Sequence, residues 1–186
     1  MKVIIINGTA RAGKDTVVEF AQELLKETHI VTNISTIDPI KKAMEILGWD
    51  GKKDDEDRLI MAKLKQLAIE SFDGPFKYIK DTVKTGENCV NFIHCREPEE
   101  ITKIKNYYGK INCITLLVNR KGIHIPINGA DDVVENYVYD YIIDNSGSIS
   151  KLKKRVSDFL FHFEIKKLHF KNIGNLNFEG FVKLDF

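Results

Sequence analysis

Hydrophobic and polar positions follow two different periods along this chain, and the period changes from segment to segment. Mostly apolar runs rich in β-branched residues occur at 2–6, 30–37, 89–95, 111–118 and 139–144. Such runs are typical of strands in a parallel sheet that is covered on both faces. Apolar residues at helical spacing fill the intervals, at 14–28, 39–47, 55–71, 75–84, 97–108 and 148–163. Strands that alternate with helices predict an α/β fold, with five parallel strands and helices on both faces of the sheet.

The chain length and the character of the C-terminal segment set the expected domain organisation. A length of 186 residues suits one compact domain, which we expect over 1–164. Residues 165–186 have turn residues between alternating apolar positions, which predicts a β-hairpin-like appendage. This appendage would pack on the sheet or on a partner subunit, so a homodimer is one arrangement that the sequence allows.

The charge balance and the cysteines narrow the classes of partner. A net charge of +1 provides no broad positive field for nucleic acid, so we expect no nucleic-acid partner. The apolar run after Met1 is too short for a signal peptide or a membrane span, which predicts a cytoplasmic protein with no membrane partner. The three cysteines, Cys89, Cys95 and Cys113, have no metal-site spacing and are expected to be buried thiols.

A glycine-rich loop carries the strongest chemical signal. The stretch from Gly8 to Thr16, GTARAGKDT, follows the first strand and leads into the first helix. Its spacing, G-x-x-x-x-G-K, is that of a Walker A P-loop, whose glycines let backbone N–H groups point at phosphate oxygens. Lys14 would then reach the β and γ phosphates of a nucleotide. We therefore expect a nucleotide to contact every residue of the loop: Gly8, Thr9, Ala10, Arg11, Ala12, Gly13, Lys14, Asp15 and Thr16.

Asp15 stands where the usual P-loop has a serine or threonine, and Thr16 follows one position late. A carboxylate beside phosphates is favourable only when a cation or ordered water separates them. Asp15 and Thr16 are therefore candidate Mg²⁺ ligands, acting directly or through water. The alternative for Asp15 is a structural role at the start of the helix.

The rest of the sequence favours a small-molecule kinase over other P-loop classes. A GTPase needs an early DxxG and an [NT]KxD motif, but the only DxxG is 144–147, after the last strand. A motor-type ATPase needs an apolar strand that ends in a catalytic aspartate. The third strand ends instead at His94, Cys95 and Arg96.

The loop RAGKDT resembles that of phage-type deoxynucleoside monophosphate kinases, within the wider nucleoside monophosphate kinase fold. The run Asp38-Pro39-Ile40-Lys41 is similar to the Asp-Pro-x-Lys that follows their second strand. Arg96, Pro98 and Glu100 match their Asp-x-Arg-x-Pro-x-Glu, except that His94 replaces the leading aspartate. The end of the last strand also resembles these kinases and places Asn145 near the nucleotide base. The resemblance covers about 1–160 and implies the three-layer P-loop NTPase fold, ATP, Mg²⁺ and a monophosphate acceptor.

Phosphoryl-transfer chemistry assigns the remaining candidate roles, since catalysis there depends on positioning and on charge stabilisation. With Lys14, the candidate catalytic residues are Arg96, Arg120 and Asp38. Arg96 would grip the acceptor phosphate or, alternatively, pair with Glu99 or Glu100. Arg120 would close on the donor phosphates from a small lid at about 120–131.

The acceptor is expected to lie against a helical region at about 39–85, which carries three candidate substrate-binding residues besides Arg96: Asp38, Lys41 and Arg58. Asp38 would hold the acceptor's sugar hydroxyl or a Mg²⁺ water, or would cap the helix that begins at Pro39. Arg58 would be a second clamp on the acceptor, or would pair with Asp54 on the helix surface. Arg155, on the last helix, is expected to be solvated.

Three functional hypotheses follow. The first is an ATP- and Mg²⁺-dependent kinase of a nucleoside or deoxynucleoside monophosphate. The second is a kinase of another small phosphorylated metabolite. The third is a nucleotide-binding regulatory module without catalysis, which the loss of the third-strand aspartate and the added tail would mark.

Overall fold

The fold is described from a computed structural model, which covers residues 1–52, 54–122 and 137–165. The strands are β1 (Lys2–Asn7), β2 (Ile30–Ser35), β3 (Cys89–His94), β4 (Cys113–Asn119) and β5 (Tyr141–Asp144). The helices in the described part are α1 (Lys14–Leu25), α2 (Asp38–Ile46), α3 (Asp55–Phe72), α4 (Gly74–Thr82), α5 (Pro98–Tyr108) and α6 (Ile149–His162). Within these ranges, no helix is long and apolar enough to span a bilayer.

The five strands form one parallel sheet in the order β2-β3-β1-β4-β5, which confirms the predicted α/β class. The central strand β1 leads directly into the glycine-rich loop, so the loop lies at the carboxyl edge of the sheet. In an open parallel sheet that edge, where the strand order reverses, is where ligands bind.

Alternate residues of β1 point into two separate cores. Ile4 and Ile6 pack with α1 and α6, whereas Val3 and Ile5 pack with α4 and α5. Helices therefore cover both faces of the sheet, as the unbroken apolar run of β1 predicted. The three cysteines are buried and free, which confirms the expectation from their spacing.

A smaller cluster joins α2 to α3 above the sheet edge, built from Ile40, Met44 and Met61. Beside it, the buried Lys65 of α3 donates to Thr36 Oγ1 at 2.8 Å and to both carboxylate oxygens of Glu97 at 2.6 Å. This ion pair fixes α3 to the turns that follow β2 and β3.

Two boundary predictions need correction. The second strand ends at Ser35, and Asp38 begins α2 instead of ending the strand. The proline ring fixes φ at Pro39 and suits the first turn of a helix, so the helix includes its flanking aspartate. Most of the predicted lid at 120–131 and the appendage at 165–186 lie outside the described residues, so both calls stay predictions.

Candidate nucleotide and acceptor site

Two glycines of the loop are required by their surroundings. Gly8 has a φ of 147°, and a Cβ there would lie 2.3 Å from the carbonyl oxygen of Val118 on β4. Gly13 has a φ of 94°, and a Cβ there would lie 2.4 Å from Nδ2 of Asn145. Residues with a side chain rarely adopt these φ values, and a Cβ would have no space at either position. The backbone of the loop therefore requires both glycines.

Buried amides hold the loop from beneath. Asn7, at the end of β1, accepts a hydrogen bond from the N–H of Gly8 at 2.8 Å, and its Nδ2 donates to the hydroxyl of Tyr139 at 2.8 Å. Asn145 Nδ2 donates to the carbonyl of Ala12 at 2.8 Å. Asn145 is thus a support of the loop backbone, and its predicted place near the nucleotide base stays a prediction.

The loop presents backbone donors and one ammonium group at its opening. Within the described part of the chain, the N–H groups of Arg11 and Gly13 have no hydrogen-bond acceptor. Arg11 itself has a left-handed φ of 62°, which helps to turn the loop. Lys14 Nζ lies across the loop and donates to the carbonyls of Gly8 at 2.7 Å and Thr9 at 2.9 Å. Unpaired N–H groups at a helix N-terminus, with an ammonium beside them, are suited to phosphate oxygens.

The first turn of α1 also fits a magnesium ion bound with phosphate. The side chain of Asp15 is 80% exposed and lies at the loop opening, and the half-buried Thr16 follows it. Mg²⁺ keeps several waters and needs only one or two carboxylates besides phosphate oxygens. Among the described residues, no group of three or more acidic, histidine or cysteine side chains forms a metal site by itself. Asp15 and Thr16 have the oxygen groups that a nucleotide-bound Mg²⁺ would need, and their role as its ligands stays a prediction.

A cavity of about 280 Å³ opens beside the loop, at the carboxyl ends of β2 and β3. We call it the acceptor cavity, after the acceptor that the sequence predicts on this side of the sheet. Its lining consists of Asp15, Asn33, Ile34, Ser35, Asp38, Lys41 and His94. Asp15, Asp38 and Lys41 were predicted as site residues. Asn33 and Ser35 were missed, although they occupy the end of an edge strand that points toward the loop.

His94 bridges the cavity and the loop. Its Nε2 lies 2.8 Å from Oδ1 of Asn33 and 3.6 Å from Oδ1 of Asp15. Burial lowers the pKa of His94 to about 4; the nearby Asp15 carboxylate opposes that shift, and Lys14 reinforces it. The imidazole is therefore neutral near pH 7. Because Asn33 Oδ1 can only accept, the proton of the neutral ring lies on Nε2.

Asp38 and Lys41 lie together on the first turns of α2. Asp38 Oδ2 accepts a hydrogen bond from the N–H of Ser35 at 2.8 Å, and its Oδ1 lies 3.7 Å from Lys41 Nζ. The sequence left open whether Asp38 caps its helix or faces the acceptor. The carboxylate does not cap the helix, which begins at Asp38 with no side-chain cap; one oxygen closes the turn from β2, and the residue lines the cavity. Its role toward an acceptor stays a prediction.

The predicted arginines lie elsewhere. Arg96 is half-buried in the turn after β3, and Arg58 and Arg120 are exposed, so none of the three belongs to the lining of the acceptor cavity. Asp54, which the sequence offered as a surface partner for Arg58, caps α3 by accepting a hydrogen bond from the N–H of Asp57 at 2.9 Å. Arg155 was expected to be solvated, and its side chain is 40% exposed, although it is not without a partner. It pairs with Asp144 Oδ2 at 3.1 Å and donates to the Asp144 carbonyl.

Comparison with known proteins gives no relative close enough to define a family. No protein-family model matches the sequence, and no curated protein matches it. Solved structures of similar shape include the APS kinase of Mycobacterium tuberculosis in complex with AMPPNP and APS (10% identity, 86% of this chain and 97% of that chain, TM-score 0.46). A sugar kinase from Janibacter (13%, 90% and 99%, 0.45) and the thymidylate kinase of Ehrlichia chaffeensis (16%, 87% and 85%, 0.26) are also similar. At these identities and TM-scores, the function must be inferred from the chain's own site.

Proposed function

We propose that this chain is a kinase that transfers the γ-phosphoryl group of ATP to a small molecule bound in the acceptor cavity. One observation supports this proposal above the others: the glycine-rich loop and the acceptor cavity share a wall. Asp15 follows Lys14 in the loop sequence and also lines the cavity, 3.6 Å from His94 on β3. A phosphoryl group held by the loop would therefore lie next to whatever occupies the cavity.

The residues of the loop would bind and orient the donor. The unpaired N–H groups of Arg11 and Gly13 would hold phosphate oxygens, and Lys14 would move from the loop carbonyls to the β and γ phosphates. A Mg²⁺ ion held by the phosphates, Asp15 and Thr16 would supply further neutralisation of the developing charge. Buried Asn7 and Asn145 would keep the loop backbone in the shape that these contacts require.

The resemblance in the loop makes a nucleoside or deoxynucleoside monophosphate the first acceptor class to test. In that case Arg96 and Arg58 would hold the acceptor phosphate, and Arg120 would approach the donor from the lid. These three roles are proposals that come from the resemblance and from phosphoryl-transfer chemistry.

The proposal is tested by measuring ATP binding by calorimetry and ADP release with a panel of monophosphates, nucleosides and sugars. The wild-type chain should bind ATP in a Mg²⁺-dependent manner and release ADP only with a suitable acceptor. Lys14→Ala should lower turnover by at least about 100-fold, on the order of one lost electrostatic contact to the transition state.

A matched control is Lys154→Ala, which removes an exposed lysine on α6. It should leave binding and turnover unchanged. A folded protein that binds no ATP would refute the nucleotide site. ATP binding without ADP release for every acceptor would refute the kinase and favour a regulatory module.

A further inference from the structure

We infer that the acceptor cavity receives an uncharged, hydroxyl-bearing molecule, and that Asp38 takes the proton from the attacking hydroxyl. This inference rests on the proposed function and names the acceptor class for that same site. This acceptor class differs from the monophosphates, whose attacking group is already an anion and needs no base.

The charged groups of the cavity do not suit a phosphate acceptor. Two carboxylates, Asp15 and Asp38, face a single ammonium group, that of Lys41, which lies 3.7 Å from Asp38 Oδ1. No arginine is among the lining residues in the described part of the chain. An acceptor phosphate would thus meet more negative than positive charge, whereas arginine forks are the usual partners of phosphate.

The polar groups of the cavity do suit hydroxyl groups. Asn33, Ser35 and Asp38 each present oxygen or amide groups that donate to or accept from a hydroxyl. The backbone N–H of Ile37 lies 3.4 Å from Ser35 Oγ, so that hydroxyl acts as an acceptor there and its own proton is available to a ligand. The volume of about 280 Å³ lies at the small end of ligand pockets and suits a sugar-sized polyol.

Asp38 is the carboxylate with a fixed orientation. Its Oδ2 is held by the N–H of Ser35 at 2.8 Å, which sets the plane of the carboxylate. Its Oδ1 is 3.7 Å from Lys41 Nζ, beyond a hydrogen bond, so this oxygen can still accept a proton from a ligand. Asp15, by contrast, is 80% exposed and lies on the loop side of the cavity, where it suits the Mg²⁺ role.

The step balances as follows. The acceptor oxygen forms a bond to the γ-phosphorus of ATP while its proton moves to Asp38 Oδ1. The bond between the γ-phosphorus and the β–γ bridging oxygen breaks, and that electron pair leaves with ADP. The proton passes to solvent when the phosphorylated product departs, which restores the carboxylate.

Asp38→Asn is the direct test, because the amide oxygen can still accept from Ser35 N–H while the proton-accepting oxygen is lost. With the best neutral polyol, sugar or nucleoside, kcat should fall by about 10²- to 10⁴-fold, the usual contribution of a general base. KM should change by only a few fold, and Asp38→Glu should restore part of kcat. Asp158→Asn, an exposed carboxylate on α6, is the matched control and should behave as the wild type.

The pH profile of kcat separates a base from a structural carboxylate. The acid limb of the wild-type profile should disappear in Asp38→Asn. The groups that face Asp38 are Lys41 on its own helix, Asp15 on α1 and His94 on β3. His94→Gln should therefore retain the acid limb, which assigns it to Asp38 and not to the imidazole.

ADP release with monophosphates alone, or an effect of Asp38→Asn confined to KM, would overturn this inference and leave the kinase proposal standing. Failure of every acceptor to release ADP would overturn both. Phosphorylation of a neutral hydroxyl acceptor that Asp38→Asn does not slow would leave the acceptor class correct and refute the role of Asp38 as the base.

Discussion

Protonation of His94 should destabilise the fold, because its imidazole is buried in the wall of the acceptor cavity. Its side chain is only 15% exposed, and burial lowers its pKa from 6.5 to about 4. The unfolded chain therefore takes up this proton before the folded chain does. The stabilising contribution of neutral His94 is complete above pH 6.5 and is lost as the pH falls toward 4.

The two pKa values give the size of the effect. A pKa that falls from 6.5 to about 4 corresponds to about 3 kcal/mol between the two protonation states. At pH 4.5 most of this penalty is already present, about 2 to 3 kcal/mol. For a small domain this is a large share of the total free energy of unfolding.

The free energy of unfolding should be measured in urea at pH 7 and at pH 4.5, for the wild type and for His94→Gln. Comparison of the two proteins separates the contribution of His94 from that of the carboxylates, which titrate in both. Glutamine retains an N–H donor for Asn33 and does not titrate, so the wild type should lose about 2 to 3 kcal/mol more than the variant over this interval. His162→Gln, which removes an exposed imidazole on α6, is the control and should respond as the wild type does. An equal loss in the wild type and in His94→Gln, or an NMR titration of His94 with a midpoint near 6.5, would refute the reasoning.

Three further variants probe the loop, the amide that supports it, and the ion pair that fixes α3. Gly13→Ala should abolish ATP binding in calorimetry while far-UV circular dichroism stays near that of the wild type, because the added Cβ would lie 2.4 Å from Asn145 Nδ2 at a φ of 94°; retained affinity would refute the fixed loop shape. Asn145→Ala leaves the Ala12 carbonyl without its donor, and should cost about 1 to 2 kcal/mol in urea unfolding as well as weakening ATP binding. Lys65→Met leaves the Glu97 carboxylate, whose side chain is 38% exposed, without its ammonium partner, so the free energy of unfolding should fall by about 2 kcal/mol. Lys65→Met/Glu97→Gln should recover part of this loss. A double variant as unstable as the single one would contradict the pairing.

The sheet and its covering helices could be predicted because their signals are local. The run Val3–Ile6 is apolar at every position, and each residue is needed by one of two cores on opposite faces of β1. Helix spacing in α1 and α6 likewise reflects the faces that pack on Ile4 and Ile6. The glycine-rich loop was predictable for a similar reason, since both glycines have positive φ and no space for a side chain.

The partners of polar side chains were not predictable, because they depend on how distant elements meet. Lys65 follows Met61 by four residues on α3 and so lies on the buried side, yet only the folded chain brings Glu97 within 2.6 Å of it. The sequence did not predict the role of Asn7, whose only distinguishing feature was its place at the end of β1. In the fold it accepts a hydrogen bond from the N–H of Gly8. Arg155 was assigned to solvent because its helix is amphipathic, and its partner Asp144 lies at the end of β5.

The replacement of an aspartate by His94 at the end of β3 does not deprive the cavity of carboxylates. Asp38 reaches the cavity from the turn after β2, and Asp15 reaches it from the loop. A third carboxylate at position 94 would lie next to Asp15, where His94 Nε2 is now 3.6 Å from Asp15 Oδ1, and like charges at such a distance repel each other. A neutral imidazole avoids that repulsion and still donates to Asn33. Under the proposed mechanism, the carboxylate that a bound hydroxyl would meet in this cavity is therefore that of Asp38 on α2, a position that the resemblance already assigns to an aspartate.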